Sequence, residues 1–255
     1  GRMLMILQES GELDNTLIVV TADNGMPFPR AKATLYDYGV RMPMAIRWGD
    51  RIKPGRVVED FVSFTDFAPT FLEAAGLTVP DGMTGRSLMP VLTAEESGQI
   101  DPARDHAVFG IERHFPGSRP DGAGYPMRGV RTKDFLYIHN YTPDATPVGD
   151  HPGTTPPEGE PVGGYGDTDG GLTKTYLWEH RNEHKKLFDA AFGMRPGEEL
   201  YDVSGDPFDL NNLAADPAYA ARKAELAERL RRHLETTEDP RATGNAQHFN
   251  EIMRR

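Results

Sequence analysis

Hydrophobic periodicity marks the elements from the first residues onward. Arg2–Ser10 keeps a helical rhythm and stops at Gly11, which predicts the end of an amphipathic helix. After the turn Asp14-Asn15-Thr16 comes Leu17-Ile18-Val19-Val20-Thr21-Ala22. This β-branched run lacks alternation, as a strand buried on both faces of a parallel sheet does, and it ends abruptly at Asp23-Asn24-Gly25. A second short strand is predicted over Pro43-Met44-Ala45-Ile46-Arg47-Trp48. A helix follows: Thr65 or Asp66 can cap it, Phe67, Phe71, Leu72 and Ala75 share a face, and Gly76 ends it. Helix, strand, strand and helix in this order predict the edge of an α/β layer.

The texture changes after about Leu92. His106–Ile111, Met127–Thr132 and Phe135–Asn140 are short strands punctuated by Gly, Pro and Asp, the pattern of an antiparallel sheet. From Pro143 to Gly171, 14 of 29 residues are Gly or Pro, so this stretch is assigned to a long irregular loop. Glu199–Val203 predicts one more strand, and Asp216–His233, rich in Ala, Leu, Glu and Arg, a closing helix. Two domains are expected, the end of a larger α/β domain over residues 1–98 and an antiparallel-sheet domain over 99–255.

Composition narrows the function classes. No run approaches the ~18 apolar residues of a membrane span. The absence of Cys excludes a disulfide scaffold, a cysteine nucleophile from this chain and a Cys-based zinc site. With 28 Lys and Arg against 39 Asp and Glu, the net charge of −11 disfavours nucleic acid as a partner. The chain opens within a helical pattern and carries no charged-then-apolar signal, which suggests a piece of a longer protein.

Chemistry points first to the end of the first strand. In open α/β sheets ligands gather beyond the carboxyl ends of strands. There Asp23 offers a carboxylate and Asn24 a carbonyl oxygen, both hard donors suited to Ca²⁺ or Mg²⁺. A plain Asp-Asn-Gly turn is the competing reading of the tripeptide alone.

The longer stretch Leu13–Gly25, followed by Lys32-Ala33-Thr34-Leu35-Tyr36-Asp37-Tyr38-Gly39-Val40-Arg41-Met42-Pro43, resembles the second half of the sulfatase family, in the alkaline-phosphatase-like superfamily. The resemblance continues at Asp66-Phe67-Ala68-Pro69-Thr70, Gly85-Arg86-Ser87-Leu88, Glu199-Leu200-Tyr201-Asp202, Asp206-Pro207 and Asn211-Asn212-Leu213-Ala214. Asp23-Asn24-Gly25-Met26-Pro27-Phe28-Pro29 and Tyr125-Pro126-Met127-Arg128 look like the heparan N-sulfatases (sulfamidases) in particular. Those enzymes place Arg where this chain has Lys32, whereas Lys is usual in O-sulfatases.

The resemblance implies the C-terminal portion of an alkaline-phosphatase-like sulfatase fold and a Ca²⁺-assisted transfer of sulfate from a sulfated carbohydrate. Asp23 and Asn24 match two metal ligands, and Lys32 the cation on the sulfate and its bridging atom. Sulfamidases carry a His at the position of His114, lining the substrate pocket, and Arg128 could add positive charge there. The family's nucleophile, a formylglycine made from Cys or Ser, and its paired aspartates have no counterpart here. The missing N-terminal catalytic half is therefore an expected partner, and the chain alone is expected to be inactive. A periplasmic, secreted or lysosomal location follows by the same resemblance. Competing readings are a phosphoesterase or phosphonate hydrolase of the same superfamily, and a noncatalytic glycan-binding remnant.

Three further features have bland readings. His180-Arg181-Asn182-Glu183-His184 fits an inverted zincin pattern but sits among charged residues, as a solvated helix would. Trp48 and Trp178 could stack on sugars, although packing is the commoner use. Arg229–His233 reads as a cationic helix end.

Overall fold

A computed structural model describes residues 1–150 and 164–253. The elements run α1 (Arg2–Glu9), β1 (Ile18–Thr21), α2 (Asp37–Val40), β2 (Met44–Arg47), α3 (Phe67–Ala74), α4 (Met89–Leu92), β3 (His106–Ile111), β4 (Met127–Thr132), β5 (Phe135–Asn140), α5 (Leu172–Glu179), α6 (Lys185–Phe192), β6 (Glu198–Asp202), α7 (Ala220–Thr236) and α8 (Gln247–Met253). They form two compact units, one of Gly1–Ala22 with Pro43–Ala107, the other of Asp23–Met42 with Val108–Arg255. The chain thus changes unit inside β3 rather than near residue 98, and Asp23–Met42 belongs with the second unit. Of the Gly/Pro-rich stretch 143–171, residues 151–163 lie outside the described residues.

In the first unit β1 pairs antiparallel with β2, Ile18 opposite Arg47 and Thr21 opposite Met44. This corrects the parallel, doubly buried strand predicted from the sequence: Ile18 and Val19 are half-buried, while Val20 is 62% exposed. A β-branched run without alternation says that a strand forms, not what lies beside it. Trp48, Ile52, Leu88 and Leu92 make the core, with Leu17, Ile46, Val62 and Phe67 packed on it, so Trp48 is a packing residue. The helical turn leading into α3 is capped by Ser63, not by Thr65 or Asp66. The Ser63 hydroxyl accepts from the Thr65 N–H at 3.4 Å, and the Asp66 carboxylate accepts from the Ser63 N–H at 3.1 Å. Such a reciprocal box satisfies two amides left unpaired at a helix start. Asp66 then also pairs with buried Arg104 at 2.8 Å. Phe67 turns to the core as expected, but Phe71 and Ala75 are exposed.

The second unit is built on the sheet β3-β4-β5-β6, in which β4–β5 and β5–β6 are antiparallel. Strand alternation gives it two apolar faces. Val130, Tyr137 and Leu200 meet Leu226, Leu230 and Leu234 of α7, whose apolar residues recur every four positions. Met127, Leu136, Ile138 and Tyr201 on the opposite face meet Leu35 and Tyr36. The segment after β1 is thereby docked on the sheet by its own apolar residues. Asp216 caps the short helical turn that leads into α7, its carboxylate accepting the Ala218 N–H at 2.9 Å.

Candidate active site

Lys32 sits on a loop whose shape is closely specified. Met26 O accepts the Lys32 N–H at 3.1 Å, the Ala31 N–H donates to Phe28 O at 3.1 Å, and the Thr34 hydroxyl donates to Ala31 O at 2.8 Å. Arg30 and Ala33, on either side of Lys32, have φ of 65° and 62°, a region that non-glycine residues seldom occupy. Strain of this kind persists only where surrounding contacts impose it. The Arg30 guanidinium donates to Ala190 O at 2.9 Å and to Asp209 O, and lies 3.5 Å from the Tyr36 ring centroid. Tyr36 donates its hydroxyl to buried Glu199 at 2.8 Å, and Tyr201 and Asn140 donate to the same carboxylate. Asp37 pairs with Arg131 at 2.8 Å, and its N–H donates to the Asp209 carboxylate at 2.8 Å. Gly25 is required at the loop's entrance, because a Cβ there would lie 2.2 Å from Tyr38 O.

The side chains named by the sequence fall into two groups. Asp23 and Asn24 are exposed and make no side-chain hydrogen bond to any described residue. Their oxygens are free and hard, which fits part of a calcium site. They do not make a whole one, since among the described residues no group of three or more His, Asp or Glu is placed to hold a metal. Lys32 and His114 converge on one three-residue run. Lys32 Nζ lies 2.8 Å from Asp169 Oδ2, and His114 Nδ1 lies 3.7 Å from Asp167 Oδ1. Asp167 is buried and held by the Phe115 N–H at 3.0 Å, the Ser118 hydroxyl at 2.7 Å and Arg119 at 2.8 Å.

Arg128 lies elsewhere. It is buried, pairing with Glu112 at 2.6 Å and Asp239 at 2.9 Å, and its Nη1 donates to Met127 O at 2.9 Å. Arg241 closes the network on Glu112 at 2.6 Å. Each of the three Arg128 nitrogens thus has a partner within the protein, an arrangement that ties the segment after α7 to the sheet. Trp178 is buried against Tyr165 and Phe192, a packing role. His180 ends α5 and His184 precedes α6, so no single helix carries the pair. His180 faces Glu183 at 3.1 Å and His184 faces the Tyr176 hydroxyl at 3.1 Å.

Asp169 and Lys174 escaped the sequence reading. Lys174 is buried, and its ammonium donates to Gly164 O, Tyr165 O and Thr168 O at 2.9–3.1 Å, fixing the run that carries Asp167 and Asp169. Burial pulls its pKa below the ordinary lysine value. Asp209, fully buried, is pushed up to about 6 by desolvation, and its Oδ1 has no hydrogen-bond partner among the described residues.

The site thus rests on an antiparallel sheet with a long helix on one face and the cation-bearing loop on the other. The solved structure of BT4656 with its substrate D-glucosamine-2-N,6-O-disulfate superposes with a TM-score of 0.65 at 28% identity, over 94% of this chain and 38% of that one. Residues 30–148 match the family model described as N-sulphoglucosamine sulphohydrolase, C-terminal. A human N-sulphoglucosamine sulphohydrolase is 30% identical over 94% of this chain and 45% of its own length. An ulvan-active sulfatase of Formosa agariphila is 31% identical over 92% of this chain and 35% of its own length. The chain belongs to the sulfatase family. It spans between about a third and just under a half of these curated relatives.

Proposed function

We propose that this chain forms the C-terminal part of a calcium-dependent sulfatase that cleaves a sulfate ester or sulfamate on a sulfated carbohydrate, and that it is inactive alone. The observation that carries the reading is Lys32: a cation on a strained, heavily braced loop that begins at Asp23-Asn24, in one compact unit. Bracing of this kind suits a charge that must meet a developing anion without reorganising.

Asp23 and Asn24 are the residues that would hold calcium, together with ligands from outside this chain. When bound, the ion supplies a positive charge that polarises sulfate oxygens. Lys32 donates hydrogen bonds to the sulfate and a proton to the departing oxygen or nitrogen. His114, half-buried beside Asp167, orients the sugar. Arg128 contributes by fastening the sheet. With no Cys in the chain and no Ser in the family's nucleophile pattern, the nucleophile comes from an N-terminal catalytic part. A noncytoplasmic location, periplasmic, secreted or lysosomal, accords with this reading; among the described residues no helix is long and apolar enough to cross a membrane.

The test is complementation. The chain is co-expressed with the N-terminal part of a sulfatase carrying formylglycine, and sulfate release is followed from N-sulfoglucosamine and glucosamine 6-sulfate. Activity that needs both parts and is lost with Asp23→Ala supports the proposal. Release by this chain alone, or none with any N-terminal part, rejects it.

A further inference from the structure

The ion pair between Lys32 and Asp169 sets an anion where an incoming sulfate oxygen would have to sit. The carboxylate Oδ2 is 2.8 Å from the lysine nitrogen, a normal length for an ammonium hydrogen bonded to an anionic oxygen. The two side chains are 28% and 34% exposed, so the pair is open to solvent and to exchange.

Asp169 is nevertheless no wandering surface acid. The run before it is fixed by the Lys174 ammonium on three carbonyls, one of them Thr168 O, and by buried Asp167 on Phe115, Ser118 and Arg119. The adjoining core of Val148, Tyr165, Trp178, Ala191 and Phe192 backs the same segment. Lys32 is braced from its own side by Arg30, Tyr36 and Asp37. Two independently built supports therefore present one cation and one anion to each other at a partly open position.

We propose that Asp169 is a built-in placeholder for the sulfate anion, a positioning residue that pairs with Lys32 in the empty site and is displaced when sulfate arrives. The inference rests on the proposed role of Lys32 as a sulfate cation. Exchange conserves the ammonium's hydrogen bond: Lys32 Nζ–H leaves Asp169 Oδ2 and takes a sulfate oxygen, while the freed carboxylate turns to water. Because the pair is partly exposed, its hold on Lys32 is modest and displacement is easy. Pairs of this exposure hold with about a two- to fivefold preference. Asp169 also returns to Lys32 once sulfate departs, which keeps the product from lingering.

The structure makes a directional claim that a merely structural aspartate would not meet. Removing the charge without the shape, as in Asp169→Asn, should tighten sulfate binding, whereas loss of a scaffold contact would weaken it. The experiment titrates the full chain, labelled with ¹⁵N-lysine, with sodium sulfate against a sodium chloride control, following the Lys32 ammonium signal. The expected result is a dissociation constant about two- to fivefold lower in Asp169→Asn than in wild type. Asp169→Glu, which keeps the charge within reach, should stay near wild type. In the Lys32→Ala background, read at the backbone amides of residues 167–169, Asp169→Asn should have no effect on sulfate. Equal or weaker binding in Asp169→Asn overturns the placeholder while leaving Lys32 a sulfate cation. A Lys32 signal that ignores sulfate in every variant overturns the proposed role of Lys32 itself, and the placeholder with it.

Discussion

Asp209 supplies a sharp test of how the Lys32 loop is held. It is fully buried, adopts φ of 52°, and receives the Asp37 N–H on Oδ2 at 2.8 Å, while Oδ1 has no partner among the described residues. The charged groups facing it are Asp37 and Asp206, which disfavour its anion, and Arg30, which favours it. Desolvation dominates, so the carboxyl titrates near 6 rather than 3.8. A folded-state value raised by that much disfavours the anion in the fold by about 3 kcal/mol. The sign follows directly. Well below the ordinary value of 3.8 both folded and unfolded carboxyls are protonated and there is no penalty. Between about 4 and 6 the unfolded chain ionises first, so stability falls, and above 6 the loss is complete. Asp209→Asn keeps an oxygen for the Asp37 N–H but cannot ionise. Urea unfolding of both proteins from pH 4 to 8 isolates the effect, since other titrations cancel in the difference. The Asn variant should gain about 3 kcal/mol on wild type between pH 4 and pH 7. A difference that stays flat across this range would refute the reasoning and show that water or Arg30 solvates the carboxylate.

Other consequences of the geometry are as direct. Gly25→Ala drives a methyl to 2.2 Å from Tyr38 O, backbone against backbone, and should cost about 1–3 kcal/mol by urea unfolding. Lys174→Met leaves three carbonyls without their donor and should cost about 1–3 kcal/mol, with amide exchange accelerating first in residues 164–169. Arg128→Lys cannot bridge Glu112, Asp239 and a carbonyl together, so stability should drop by about 3 kcal/mol while sulfate binding at Lys32 stays unchanged; a selective loss of binding would restore Arg128 to the substrate site.

What could be read from the sequence follows the range of the signal. Strands β3, β4 and β5 were legible to the residue, because each alternates between two apolar faces and is bounded by Gly, Pro or Asp. The closing helix showed through its richness in Ala, Leu, Glu and Arg. Asp23 and Asn24 stood out as hard donors at a strand end, and Lys32 through family resemblance. Asp169 was hidden, since its partner lies 137 residues away and its neighbours are Gly and Thr in a loop-like stretch. The partners of Arg128 were hidden for the same reason. Only the fold reveals that Arg128 pairs with Asp239, 111 residues on. Ser63 went unnoticed as a cap because its box encloses a 3₁₀ turn before the apolar run begins.

The central claim is that Lys32 acts on the sulfate in the transition state, and steady-state kinetics of the complemented enzyme test it most directly. Lys32→Ala should lower kcat by about 10²–10³ with a modest change in KM, the signature of a lost preorganised donor. Lys32→Arg keeps the charge but donates a proton less readily, so O-sulfate esters should suffer more than N-sulfated glucosamine. An unchanged kcat in Lys32→Ala would contradict the account and leave Lys32 a structural residue of its loop.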